Sequence, residues 1–369
     1  MKAVAVFPAE RRIGVVDHPE PRLTTPTQVK LRMLDVGICG TDKEIAAFDY
    51  GTPPADSPYL IIGHESLGEV VETGAQVTRV KRGDLAVPTV RRPCGLPECV
   101  ACSAGRQDFC YTGRFTERGI NQRHGFMSEF VVEEERYINP VPLALRDVAV
   151  LVEPLTIAEK GVTQLWQVQK RLPWVEPNKQ TPGQLHRAVV LGGGPVGLLG
   201  AMKLVLEGFD TTVYSRTPAA SDLQDLVSAF GAKFVHAETA TLAELAAQIG
   251  NIDVVYEAVG ASSLAFEVIP HLGTNGVFIF TGVPGRKGPV SVDTDAIMRD
   301  CVLKNQVIFG TVNASLDSFA QAIADLGAFV ERWPAAVRSL ISRRFSMDQA
   351  SELLAGKAGG IKNVIAVGE

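Results

Sequence analysis

The run AVVLGGGPVGLLGAMKL, which begins at Ala188, limits what this 369-residue chain can fold into more than any other segment. Gly192, Gly194 and Gly197 stand at G-x-G-x-x-G spacing between an apolar strand-like stretch and an apolar helix-like one, with Pro195 and Val196 inside the loop. A tight turn, a close backbone approach to a pyrophosphate and close helix packing each require a position without a Cβ. The helix N-terminus then offers N–H groups and partial positive charge to phosphates. A glycine-rich turn alone can be mere geometry, but one framed by a strand and a helix points to a dinucleotide.

The rhythm around this run is strand, helix, strand. Arg187–Leu191, Asp210–Tyr214, Lys233–Val235, Asp253–Glu257, Gly276–Thr281 and Val307–Gly310 read as strands, and Leu198–Leu206 and Leu242–Ile249 carry helical apolar spacing. Such alternation implies a doubly wound parallel sheet of α/β class. Residues 1 to about 155 differ: Lys2–Phe7, Gln28–Val36, Gly68–Thr73, Leu85–Thr89 and Phe130–Val132 are short β-like runs broken by Gly, Pro and Asp, as expected of a barrel-like β domain. Two domains also suit the length, which exceeds what one core usually serves. Arg171–His186, with three prolines, reads as an excursion before the parallel sheet.

The choice of dinucleotide depends on the end of the second strand, where an NAD-specific fold places Asp or Glu to accept from the ribose 2′-OH. This chain reads DTTVYSRTP from Asp210, so Ser215 and Arg216 occupy that place. A guanidinium suits a 2′-phosphate better than a hydroxyl, which favours NADP over NAD. The competing reading is that Arg216 is a solvated loop charge and either cofactor binds.

Four cysteines are crowded into CGLPECVACSAGRQDFC, beginning at Cys94. The gaps between Cys94, Cys99, Cys102 and Cys110 let a looped backbone surround one ion, and Zn²⁺ takes four thiolates at about 2.3 Å with no position left for chemistry. Two disulfides are the competing reading; the absence of a signal-like N-terminus speaks against them. A second set is dispersed: Cys39 in GICGTDKE, His64 and Glu65 in IGHESLGEV, Glu153 in LVEPLT. Singly these are a small buried hydrophobe, core polar groups and a helix-start carboxylate. Together a thiolate, an imidazole and carboxylates form the mixed, incomplete ligand set of a catalytic zinc. Cys301 has no ligand-like neighbours.

A net charge of −5 and a pI near 5.8, without a basic run, exclude a general nucleic-acid or anionic-membrane partner. No apolar stretch reaches 18 residues, so a cytoplasmic protein with a small-molecule partner is expected.

In this order, GICGTD, GHESLGEVVE, the four-cysteine lobe, LVEPLT and GGGPVG resemble the zinc-dependent medium-chain dehydrogenase/reductase family over nearly the whole chain. TGRFTERGINQRHGFMSEFVVEEERYI from Thr112, QVQKR from Gln167 and TVN from Thr311 resemble its glucose 1-dehydrogenase branch. The resemblance implies a GroES-like β-rich catalytic domain over 1–156 with the lobe at about 93–111, a Rossmann domain over 157–313, and a return segment, 314–369, that completes the first. It implies zinc-dependent oxidation of an aldose, D-glucose foremost, at C1 to the lactone with NAD(P), by a homo-oligomer, dimer or tetramer. Cys39, His64 and Glu153 become catalytic-zinc ligands, with Glu65 direct or water-mediated. Thr41 touches the substrate oxygen and the proton path, Glu117 holds sugar hydroxyls, Glu153 also borders substrate, and Asn313 lies near nicotinamide and sugar. Two departures stand out: Glu44 replaces the relay histidine of many alcohol dehydrogenases, and Ile157 replaces an acidic residue of some sugar-oxidising relatives. A polyol or alcohol dehydrogenase, or a non-catalytic zinc-stabilised NADP sensor, are the alternatives.

Overall fold

The computed structural model describes residues 1–176, 181–216, 221–285, 288–356 and 359–368. Part of the Arg171–His186 excursion, 177–180, and the Thr217 and Pro218 that follow Arg216 therefore lie outside the described residues. The chain divides into two compact units, Met1–Thr156 with Asn313–Val330 and Val337–Glu369, and Ile157–Val312 with Glu331–Ala336.

The first unit is built on a sheet whose strands run in the order Ile138–Val141, Leu85–Pro88, Glu65–Thr73, Gln28–Ile38, Lys362–Ala366 and Ile341–Ser346, with Phe130–Glu134 also on Gln28–Ile38. Pairing is antiparallel except between Ile341–Ser346 and Lys362–Ala366. Gly37 and Glu65 are direct partners across Gln28–Ile38 and Glu65–Thr73. A Cβ at Gly37 would lie 2.3 Å from Glu65 Oε2, so the glycine makes room for that carboxylate. Lys2–Phe7, buried after its first residue, pairs with Arg12–Asp17 and Leu60–Ile61.

A small ribbon carries Glu117. Arg91–Arg92 pairs antiparallel with Thr116–Arg118, which lies parallel to Gln122–Arg123. It is tied to the Phe130–Glu134 strand through Glu133, 1% exposed, which accepts from Arg92 at 2.5 Å and Arg118 at 2.9 Å. Although burial opposes its charge, the guanidiniums of Arg118, Arg92 and Arg123 hold the Glu133 pKa far below the usual carboxylate range. The ribbon also interlocks with the segment before His64. A Cβ at Gly119, φ +73°, would lie 2.5 Å from Gly63 O, and one at Gly125 would lie 2.4 Å from the same atom. Bare backbones thus bring Glu117 and His64 to one region. Gly119→Ala combines a disfavoured φ with a clash against backbone, and is expected to cost on the order of 2–3 kcal/mol. Thermal unfolding checks this: the melting temperature should drop by about 5–10 °C.

The second unit is a six-stranded, all-parallel sheet in the order Lys233–His236, Asp210–Ser215, Arg187–Leu191, Val254–Glu257, Val277–Phe280, Val307–Gly310. This is the doubly wound Rossmann order, in which the chain reverses direction beside its first strand. Val189, Leu191, Val255 and Phe278 pack with Leu245, Val268 and Leu272 into one buried cluster. The Asp210–Tyr214 and Lys233–Val235 readings each gain one residue, and Asp253–Glu257 and Gly276–Thr281 shorten by one residue or one at each end.

Candidate active site

Cys39 follows the Gln28–Ile38 strand and is the N-cap of the Gly40–Ala46 helix, its backbone N–H donating to Asp42 Oδ2 at 2.9 Å. Glu65 opens the neighbouring strand and His64 immediately precedes it. The three donor atoms lie within 4.8 Å of one another, with Cys39 Sγ 3.2 Å from His64 Nε2. Glu153, in the first turn of the Val152–Gln169 helix, stands outside that close group yet acts electrostatically on the same residues. Thr41 is half-buried on the first turn beyond Cys39.

Two further side chains complete this cluster: Asp42, which stands inside GICGTD without a ligand-like signal, and Lys362, which lies in no motif. Asp42, fully buried, places Oδ1 at 3.5 Å from His64 Nδ1 and accepts from the Gly63 N–H. The 3.5 Å separation is an ion-pair distance rather than a well-formed hydrogen bond, so Asp42 steers the ring electrostatically. Lys362, fully buried on the Lys362–Ala366 strand, donates to Glu65 Oε2 at 2.5 Å and to Ile38 O at 3.3 Å.

Acid groups outnumber cations here. Among the described residues, the cations that Cys39, Asp42, Glu65 and Glu153 face are His64 and Lys362. Burial raises the Cys39 thiol and pushes the Glu153 carboxyl up to about 7, against the pull of His64 and with the repulsion of Glu65. Burial alone would lower His64, but Cys39 and Asp42 hold its pKa well above the ordinary value. A buried site so rich in thiol and carboxylate fits a divalent cation, which supplies the missing positive charge and favours S and N donors.

The Cys94, Cys99, Cys102 and Cys110 sulfurs also lie within 4.8 Å of one another, and none is disulfide-bonded. Cys99 and Cys110 are 3.8 Å apart. A tetrahedron with metal–sulfur bonds of about 2.3 Å has edges of about 3.8 Å, so the spacing is that of an ion cage rather than of a bond between sulfurs.

Glu117, 6% exposed, lies opposite Arg91 in the ribbon. Its Oε1 accepts from Arg91 Nε at 3.0 Å and from Asn313 Nδ2 at 3.1 Å. Asn313 holds a left-handed conformation, φ +59°, which asparagine tolerates, and its Oδ1 accepts from the Ala314 N–H. Burial first, and then Glu117, raise the Tyr50 phenol while His64 opposes, so one side chain lies within electrostatic reach of both Glu117 and the donor cluster.

In the second unit Gly192 has φ +111°, Gly194 caps the Pro195–Leu206 helix with Pro195 at its start, and a Cβ at Gly197 would lie 2.2 Å from Gly192 O. A Cβ at Gly194 would meet nothing within 4 Å, which leaves open space over the loop at the helix N-terminus beside Val196. Ser215, buried at the end of its strand, reaches to 3.2 Å of where a Gly193 Cβ would lie; Arg216, next in sequence, is exposed. The loop, the helix dipole and the terminal Ser-Arg pair fit a phosphorylated dinucleotide.

Residues 25–143 match the alcohol dehydrogenase GroES-like domain and residues 146–367 the glucose dehydrogenase C-terminus. Together with the parallel sheet, these matches define a medium-chain dehydrogenase/reductase. The chain belongs to the glucose 1-dehydrogenase family of that class. It is 37% identical to the glucose 1-dehydrogenase of Methanocella arvoryzae, covering 100% of both chains, and 38% identical to that of Thermoproteus tenax, covering 100% of this chain and 99% of the other. Among solved structures, Haloferax mediterranei glucose dehydrogenase in complex with NADP, Zn and gluconolactone matches with a TM-score of 0.88 at 28% identity, covering 100% of both chains. No helix among the described residues is long and apolar enough to cross a membrane.

Proposed function

We propose that the chain oxidises D-glucose at C1 to the lactone, passing hydride to NADP in preference to NAD, with zinc held at the Cys39 cluster. The observation that carries this reading is that buried cluster, in a chain aligned end to end with glucose 1-dehydrogenases.

Cys39, His64 and Glu153 would hold the catalytic zinc with Glu65 as an intermittent further ligand, and the four-cysteine lobe would hold a second ion. When bound, the zinc at the Cys39 cluster would supply Lewis-acid polarisation of the C1 hydroxyl, and the nicotinamide a hydride acceptor. Asp42 orients His64, and Lys362 restrains Glu65. Thr41, two residues after Cys39, accepts a hydrogen bond from the C1 hydroxyl and relays its proton by donating its own hydroxyl proton toward solvent. Glu117 and Asn313 pair with other sugar hydroxyls, and an analogue lacking one leaves a buried acceptor unmet at a cost of about 1–3 kcal/mol. Gly192, Gly194, Pro195, Val196 and Gly197 cradle the pyrophosphate, while Ser215 and Arg216 receive the 2′-phosphate.

Initial rates over a matrix of aldoses, polyols and simple alcohols with NADP or NAD test the assignment. D-Glucose with NADP should head the matrix; a polyol or alcohol preferred over every aldose would overturn it. Arg216→Ala should shift the NADP/NAD preference by roughly ten- to a hundredfold through KM, since only NADP loses a charge-assisted contact, with kcat little changed. Equal losses for both cofactors would assign Arg216 to loop support.

A homo-oligomer, dimer or tetramer, is part of this reading. Val307–Gly310 is an edge strand, and the Thr294–Leu303 helix buries none of its residues while exposing Met298, Val302 and Leu303. Open edges and exposed apolar faces invite a second copy. The six free thiols suit the reducing cytoplasm.

A further inference from the structure

Arg91 belongs to no motif and is no ligand, yet it is 7% exposed and fixed on every side. Its guanidinium stacks on Phe115 at 3.7 Å from the ring centroid. Nε and an Nη both reach Glu117 Oε1 at 3.0 Å, and the other Nη is 3.4 Å from the carbonyl of Asp108, in the short turn just before Cys110. With Asn313 added, Oε1 receives three donors, while Oε2 has no protein partner among the described residues.

We propose that Arg91 is the positioning residue of sugar recognition: it anchors Glu117 to the cysteine lobe through Oε1, so that Oε2 is the edge offered to substrate hydroxyls. The inference rests on the reading of Glu117 as a sugar contact. Only a planar fork can hold a carboxylate, a carbonyl and an aromatic face at once, which is why lysine would not replace it fully. Because Glu117 is reached equally by ground-state and activated sugar, its misplacement appears in KM for the sugar rather than in kcat.

The test is steady-state kinetics of the zinc-loaded enzyme with D-glucose and NADP for Glu117→Gln, Arg91→Gln, Arg91→Lys and the double variant Arg91→Gln/Glu117→Gln. Glu117→Gln and Arg91→Gln should each raise KM for glucose about tenfold or more, with KM for NADP within about twofold and kcat little changed. Arg91→Lys should recover part of the loss. The double variant should be no worse than Glu117→Gln, because the two residues act as one unit. A large Glu117→Gln effect beside an unchanged Arg91→Gln, or fully additive losses, would overturn the role of Arg91 and leave the sugar reading standing. An unchanged Glu117→Gln would overturn the sugar reading and the inference with it. If Arg91→Gln does not fold, Arg91→Lys decides alone: a severalfold rise in KM for glucose supports the inference, and an unchanged KM overturns it.

Discussion

Replacing Cys39 with serine is expected to lower kcat/KM for the sugar by roughly a thousandfold or more, since the Lewis-acid contribution lost is several kcal/mol and each 1.36 kcal/mol is tenfold. The substitution isolates the ligand effect because of where Cys39 sits. It is the N-cap of the Gly40–Ala46 helix, and serine is a favoured N-cap residue, so the helix keeps its start. A hydroxyl is a far weaker zinc ligand than a thiolate at neutral pH. The melting temperature should therefore change little, while metal content falls by up to one ion per chain. Near-native turnover in a variant that has lost this ion would refute the proposed role of the cluster.

Cys102→Ala reverses that pattern. Within the lobe only Cys99, Gln107 and Asp108 are buried between residues 93 and 111, while Val100, Phe109 and Tyr111 are exposed. So little burial cannot hold a loop of this length, and on the proposed reading a second bound ion would take the place of a core. Alanine preserves helix propensity at this position, so the loss comes from the missing ligand. Because structural metal binding is folding free energy, the expected cost is on the order of 4–5 kcal/mol, or a drop of more than about 10 °C in melting temperature. Activity should follow only through Asp108, whose carbonyl anchors Arg91. Undiminished stability with unchanged metal content would return the four cysteines to an incidental cluster.

How much of this was legible in the sequence varies with how local the cause is. The Arg187–Leu191 strand, the glycine loop and the helix after it are written in adjacent residues, and the structure matches them to the residue at the strand. Lys2–Phe7 and Val307–Gly310 are as plain, being apolar runs with clear breaks. Arg12–Asp17 and Ile341–Ser346 were not read as strands: the first is half-buried, the second carries Arg343 and Arg344, and pairing with a neighbour rather than apolar pattern makes each a strand. Gln28–Val36 stopped two residues short, because the structure continues to Ile38 to deliver Cys39.

The site shows the same division. Short, motif-bearing segments revealed Cys39, His64, Glu65 and the four lobe cysteines, which the structure gathers into two compact groups. The residues that hold them could not be read, since their partners are distant in sequence. Lys362 meets Glu65 across 297 residues; Glu117 and Asn313 were each marked by the family resemblance, but their pairing across 196 residues was not. Nothing local marks Gly37, Gly63 and Gly119; their role is the room they leave for Glu65 and for each other. Asp42 was visible within GICGTD, but its burial behind His64 depends on the Gly40–Ala46 helix folding against the next strand.

The most direct measurement is the rate of D-glucose oxidation by the purified enzyme with NADP, followed as NADPH and lactone together, before metal removal, after it, and after Zn²⁺ is returned. The predicted result is one lactone per NADPH, a rate lost with the metal and restored by Zn²⁺. Undiminished glucose oxidation in protein shown to be free of metal would contradict it.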